Sequence, residues 1–146
     1  MTGIFSRTEL LVGPAGMARL AAANVAVFGV GGVGSWCAEG LVRSGVEHLT
    51  LVDSDVVSVT NINRQAMADT TTVGRPKVEA LRDRLLAINP SAQIEAVQKI
   101  YCEETAGEFD LDSFDAVVDC IDSLKDKITL IMRATGSCSV HSHIYI

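Results

Sequence analysis

Long apolar runs, paired cysteines and clustered basic charge are all missing from this chain of 146 residues, and each absence closes off a class of function. No apolar stretch approaches the roughly 20 residues that a membrane-spanning helix needs, and the opening MTGIFSRTELL lacks a long apolar segment of the secretory kind. A cytoplasmic protein with no membrane partner is therefore expected. The cysteines, Cys37, Cys102, Cys120 and Cys138, share no C-x-x-C spacing, which argues against a zinc clip or a thioredoxin-type couple and for free thiols in a reducing compartment. Twelve Lys and Arg face 18 Asp and Glu, a net charge of −6, and the acidic excess falls after Cys102. A protein that grips duplex nucleic acid carries a basic stripe, and this chain has none, so any nucleic-acid partner must be held by a few local charges. Nor is there a G-x-x-x-x-G-K-[ST] string, which excludes a P-loop ATPase.

What is present is ordinary for one soluble globular domain, 48% apolar and 21% charged, and residues 1–146 read as a single unit. Residues 1–23 form an N-terminal helical segment interrupted at Gly13-Pro14. Asn24–Phe28 (NVAVF) reads as a buried strand, followed by a glycine turn and a helix that runs to about Ser44 and ends at Gly45. His48–Val52 (HLTLV) is a second strand, closing on Asp53-Ser54-Asp55. The polar connector 54–75 has the length of a functional loop. Pro76 opens a helix whose Val78, Leu81, Leu85 and Ile88 form one stripe, with Lys77, Arg82 and Asp83 facing elsewhere; Asn89-Pro90 stops it. Gln93–Val97 and Phe114–Ile121 hold third and fourth strands, and Leu124 to about Ala134 is helical. Alternating strands and helices predict an α/β, Rossmann-like fold, a mostly parallel sheet with helices on both faces.

Within VFGVGGVGS, Gly29, Gly31 and Gly34 spell G-x-G-x-x-G between that first strand and helix, and Asp53 ends the next strand. A helix N-terminus reached through such a turn accepts phosphate, and an acid at that place can accept hydrogen bonds from a ribose hydroxyl pair. The glycines would otherwise serve only tight strand–helix packing. Both ATP and NAD satisfy this much. Arg64, Arg75 and Lys77 tip the balance, because the pyrophosphate of a dinucleotide is already served by backbone amides and the helix dipole. Displacement at the α-phosphorus of a triphosphate needs placed cations, and Arg64 and Lys77 supply two.

The blocks RTELLVG, VFGVGGVGS, LTLVDSDVVSVTNINRQ, TVGRPKVEALRDRLLAINP and VVDCIDSLKDK together resemble the ubiquitin-activating-enzyme-like superfamily of ThiF, MoeB and HesA adenylating enzymes, over about residues 5–134. Within it the likeness is to the bacterial group that dehydrates and cyclises threonylcarbamoyladenosine in tRNA. The resemblance implies ATP and Mg2+ as cofactors. It places Gly29, Gly31, Gly32 and Gly34 around the phosphates, Asp53 on the ribose, and Asn61, Asn63, Arg64 and Gln65 in the family's N-x-N-R-Q element; Asp55, read from its position alone, either caps the following loop or binds water on the ribose side. Arg64 and Lys77 become phosphate-binding catalytic cations, and Asp122 becomes the carboxylate that positions Mg2+. Arg7 matches an arginine that reaches the active site of a partner subunit, which implies a homodimer. Implied partners are tRNA as acceptor and, in related enzymes, a sulfur-transfer protein.

The chains of this superfamily continue well past the fourth strand, whereas here the match fades after Ala134 and the tail 135–146 (containing Cys138, His141 and His143) fits poorly. Truncation, a frameshift or an internal deletion would each produce that pattern. Two further readings therefore stand beside the tRNA-modifying enzyme: a non-catalytic nucleotide-binding or dimerisation remnant, and a sulfur-carrier-protein adenylyltransferase. The missing C-x-x-C pairs count mildly against the last.

Overall fold

The computed structural model describes residues 3–136 and the backbone of 142–145. The chain runs α1 (Ser6–Ala22), β1 (Asn24–Phe28), α2 (Gly34–Ser44), β2 (His48–Val52), α3 (Lys77–Ile88), β3 (Gln93–Val97), β4 (Ala116–Asp119), α4 (Leu124–Gly136) and β5 (Ser142–Tyr145), with 3-10 turns at Val59–Asn61, Ala106–Glu108 and Leu111–Ser113. Local chemistry sets most boundaries. Gly13 at φ 72°, ψ 170° breaks α1 in two, and Pro14, whose missing N–H costs nothing at a helix start, begins the second half. Gly45 ends α2 in the left-handed conformation at φ 108°, its N–H bonded to the Val42 carbonyl.

The sheet has five strands in the order β3-β2-β1-β4-β5, and every neighbouring pair is parallel. This is the Rossmann-like α/β arrangement the alternating pattern predicts. Two differences stand out. The fourth strand is shorter than the apolar run Phe114–Ile121, because Phe114 and Ile121 leave the ladder to pack on one flank of the core. A fifth strand at Ser142–Tyr145 extends the edge beside β4. Of the tail residues singled out above, Cys138, His141 and the side chain of His143 lie outside the described residues.

Period-2 alternation along β1 divides the core. Val25 and Val27 join Ala38, Val42, Leu81 and Leu85 from α2 and α3 on one face, with Leu20 of α1 packed alongside. Ala26 and Phe28 join Leu130 and Ala134 of α4 on the other. Each fully buried Leu or Val there contributes about 1.5–3 kcal/mol of transfer free energy. The strand order reverses between β1 and β4, so the loops after their carboxyl ends diverge and open a crevice.

Candidate functional site

The crevice is a cavity of about 810 Å³, and its floor is the glycine turn. The glycines of that turn divide their work. Gly29 sits at φ 84°, and a Cβ there would lie 2.5 Å from the Cys120 carbonyl oxygen. At Gly34 a Cβ would lie 1.8 Å from the Gly29 carbonyl oxygen, which no repacking tolerates. These two let β1, β4 and α2 close together; Gly29 also borders the cavity, whereas Gly34 does not. Gly31 and Gly32 do border it, and a Cβ on either meets nothing closer than 3.5 Å. Their bare backbone keeps the cavity floor open to close approach.

Asp53, at the end of β2, is half-buried and ties the floor to the wall. Its Oδ2 accepts the Val30 N–H at 2.8 Å and its Oδ1 accepts the Asp55 N–H at 2.9 Å. Each carboxylate oxygen retains a second lone pair for a ligand hydroxyl. Asp55 in turn accepts the Lys77 ammonium at 2.8 Å. The segments carrying these two residues are held antiparallel: Lys77 N–H donates to the Asp55 carbonyl at 3.0 Å, and Val57 N–H to the Arg75 carbonyl at 2.8 Å. Lys77 is consequently buried, with a side-chain exposure of 8%. Helical periodicity sets it off the apolar stripe of α3. The enclosing loop turns it inward to the cavity.

The 3-10 turn Val59–Asn61 builds the other side. Buried Asn61 accepts the Ser58 N–H at 2.9 Å on its side chain, its own N–H donates to the Ser58 carbonyl, and its carbonyl accepts the Arg64 and Gln65 N–H groups. Arg64 lies over Gly32, with Nη1 donating to the Thr60 carbonyl at 2.9 Å and to Asn63 Oδ1 at 3.1 Å. The Trp36 indole N–H donates to the Arg64 carbonyl at 2.9 Å, pinning the backbone from which the guanidinium projects. Asn63 does not line the cavity; it orients Arg64. Gln65 does line it, and its Oε1 is buried without a hydrogen-bond partner among the described residues. A buried orphan acceptor in a cavity wall costs about 1–3 kcal/mol unless something supplies a donor, so it marks a place for a ligand or water.

Asp122 lines the cavity beyond β4, as does Asp126 in the first turn of α4. No cluster of three or more metal-ligating side chains occurs among the described residues. A Mg2+ ion here would take one or two carboxylates and complete its shell with ligand phosphates and water, its usual habit. Arg7 is exposed in the first turn of α1 and does not line its own chain's cavity.

Several lining residues had escaped sequence reasoning. Lys99, Ile100 and Tyr101 follow β3, and Cys120 and Ile121 follow β4. Tyr101 is anchored edge-on to Phe28, ring centroids 5.0 Å apart, and Phe109 packs on both. Burial pushes the Tyr101 phenol up, opposed by the nearby Arg133 guanidinium. Burial, and then the neighbouring Cys37 and Asp119, push the Cys120 thiol up to about 12, so this cavity thiol is a protonated wall rather than a nucleophile. The apolar run around Cys120 was the available signal. Nothing in the irregular segment between β3 and β4 announced Lys99–Tyr101.

Residues 5–137 match the model of the ThiF family. The chain belongs to that family. It is 46% identical over 127 residues to the tRNA threonylcarbamoyladenosine dehydratase of Bacillus subtilis (strain 168), covering 87% of this chain and 50% of that protein. The crystal structure of E. coli tRNA N6-threonylcarbamoyladenosine dehydratase, TcdA, superposes with a TM-score of 0.92 at 34% identity, covering 97% of this chain and 59% of the other. The same E. coli enzyme in complex with ATP gives a TM-score of 0.88 at 34% identity over 97% and 57% of the two chains. The chain spans about half the length of the curated relatives it matches. ThiF-family relatives of this chain are dehydratases of this kind and adenylyltransferases, so ATP-dependent adenylation is the family-level activity. No helix among the described residues is long and apolar enough to cross a membrane.

Proposed function

We propose that the cavity binds ATP with Mg2+ and that the chain is the nucleotide-binding part of an adenylating enzyme acting on threonylcarbamoyladenosine in tRNA. One observation carries this reading: a buried lysine, Lys77, and the loop-held Arg64 line the same cavity as the glycine floor. A dinucleotide that delivers hydride has no use for such cations. Bound ATP supplies an α-phosphorus to which a substrate carboxylate oxygen bonds as the bond to pyrophosphate breaks; ring closure at the activated carboxyl then expels AMP.

This chain's residues would divide the work as follows. Gly31 and Gly32 admit the phosphates to the backbone, and Asp53 accepts hydrogen bonds from the ribose hydroxyls. Lys77 and Arg64 offset charge on the phosphates, Arg64 chiefly as charge builds on the leaving group. Gln65 Oε1, lacking a donor, gains one from the ligand or its water shell. Asp122 takes Mg2+. Arg7, outside its own cavity and exposed, is available to the phosphates of a second protomer in a homodimer.

Exchange of radiolabelled pyrophosphate into ATP tests the reading. Exchange that depends on tRNA bearing threonylcarbamoyladenosine, and not on a sulfur-carrier protein, is the expected outcome. Stimulation by the carrier protein alone would transfer the chain to the sulfur-carrier adenylyltransferases. Calorimetry showing NAD bound more tightly than ATP would overturn the nucleotide assignment itself.

A further inference from the structure

We infer that Asp55 is a positioning residue for Lys77, holding the ammonium on the cavity wall before any ligand arrives. The inference rests on the reading of the cavity as an ATP site only for the purpose the positioned lysine serves. Its basis is geometric. The Lys77 side chain is 8% exposed, and its ammonium donates to Asp55 Oδ2 at 2.8 Å, whereas the Asp55 side chain is 64% exposed. A lysine drawn into a wall needs a compensating anion, and the structure provides Asp55 for it.

The anion is itself held in place. Asp53 Oδ1 accepts the Asp55 N–H at 2.9 Å, and the Asp55 carbonyl accepts the Lys77 N–H at 3.0 Å, so backbone bonds on both sides set the carboxylate opposite the ammonium. The isolated antiparallel bridge between Val56 and Pro76 adds a further clamp. A continuous chain of bonds thus runs from the Val30 N–H of the glycine turn through Asp53 and Asp55 to the Lys77 ammonium. Its effect is to place floor and cation in fixed relation. Asp55 does this through Lys77 and needs no contact with nucleotide, which distinguishes it from the ribose-side role its sequence position suggested.

Acetylation of the ligand-free chain by a water-soluble succinimidyl ester, read by mass spectrometry, tests the inference without nucleotide. Lys77 should label slowly against Lys125, whose side chain is 67% exposed and pairs with Glu103 rather than Asp55. Asp55→Asn should raise Lys77 labelling about fivefold or more while leaving Lys125 unchanged, and Asp55→Glu should restore most of the protection. A second arm measures ATP and adenosine affinity by calorimetry in Asp55→Asn, Lys77→Met and the double variant. Coupled residues give non-additive effects, so Asp55→Asn should shift ATP affinity in the native background, about tenfold, and hardly at all once Lys77 is gone. Adenosine affinity should stay within about twofold throughout.

Unchanged Lys77 labelling in Asp55→Asn, or additive effects in the cycle, would overturn the inference. So would a general rise in labelling of all lysines with equal loss of adenosine binding, which is the signature of a merely structural loop clamp. A chain that binds no ATP, yet shows the labelling pattern, would instead remove the nucleotide reading and leave the Asp55–Lys77 pairing standing.

Discussion

Substituting alanine at Gly31 and at Gly34 separates the two jobs of the glycine turn, because the same added methyl meets opposite surroundings. At Gly34 the Cβ would fall 1.8 Å from the Gly29 carbonyl oxygen, a backbone atom of the same turn that cannot rotate away. Overpacking a fitted interior costs about 1–3 kcal/mol and more when backbone must move, against a gain of up to about 1 kcal/mol in helix propensity. A net loss of about 3 kcal/mol or more is expected, a large fraction of a typical domain stability of about 5–15 kcal/mol. At Gly31 the nearest atom is Gln65 Nε2 at 3.8 Å, ordinary contact, so the fold should change by no more than about 0.5 kcal/mol. The methyl at Gly31 nevertheless stands at the cavity floor, where it should weaken ATP binding tenfold to a hundredfold, about 1.4–2.8 kcal/mol. Urea denaturation followed by circular dichroism measures the first quantity, and calorimetric titration with ATP the second. If Gly31→Ala lost stability as severely as Gly34→Ala, or kept full ATP affinity, the division of labour within the motif would be refuted.

Three other outcomes follow from the geometry. Arg64→Ala should depress turnover about a hundredfold with a smaller change in ATP affinity, whereas Asp53→Asn should weaken affinity and also loosen the turn, since it gives up charge from the Val30 and Asp55 hydrogen bonds; steady-state kinetics that reversed this pattern would sink the assignment. Burial pushes the Glu39 carboxyl up, but hydrogen bonds and charge from Arg84 and Arg43, at 2.6 and 2.8 Å, outweigh it and leave the group below its ordinary value of 4.5. Because the folded state holds that proton more weakly, its contribution is complete above about pH 4.5 and fades as pH falls below it. Glu39→Gln should therefore flatten the acid limb of a stability-against-pH curve, and an unchanged limb would count against the cluster. Cys120, with its thiol at about 12, should resist iodoacetamide at pH 7.5 far longer than free glutathione, as peptide mass mapping would reveal.

Much of the fold was legible because its signals are local. Apolar runs of five residues, a stripe of period 3.6 on α3, Pro14 and Pro76 at helix starts and Gly45 at a helix end all act within a few residues of chain. The place of the candidate site was legible for a similar reason, since a glycine turn between strand and helix with an acid ending the next strand is a contiguous pattern. Limits appeared where the outcome depended on distant segments. That Gly34 packs while Gly31 borders a cavity is decided by where the Gly29 carbonyl and Gln65 come to lie. The inward turn of Lys77 comes from the loop around Asp55 closing over the first turn of α3, a contact helical periodicity does not contain. Asn63, one residue from Arg64 in sequence, lies off the cavity with its Oδ1 accepting the Arg64 guanidinium, a contact that chain neighbourhood alone does not set. The wall at Lys99–Tyr101 exists because Phe28 and Phe109 trap an irregular segment against the sheet. Local sequence chose the elements and the glycine turn; burial and hydrogen bonding across long sequence separations chose which side chains face the cavity, because only the closed chain determines which polar groups lose water and must find partners.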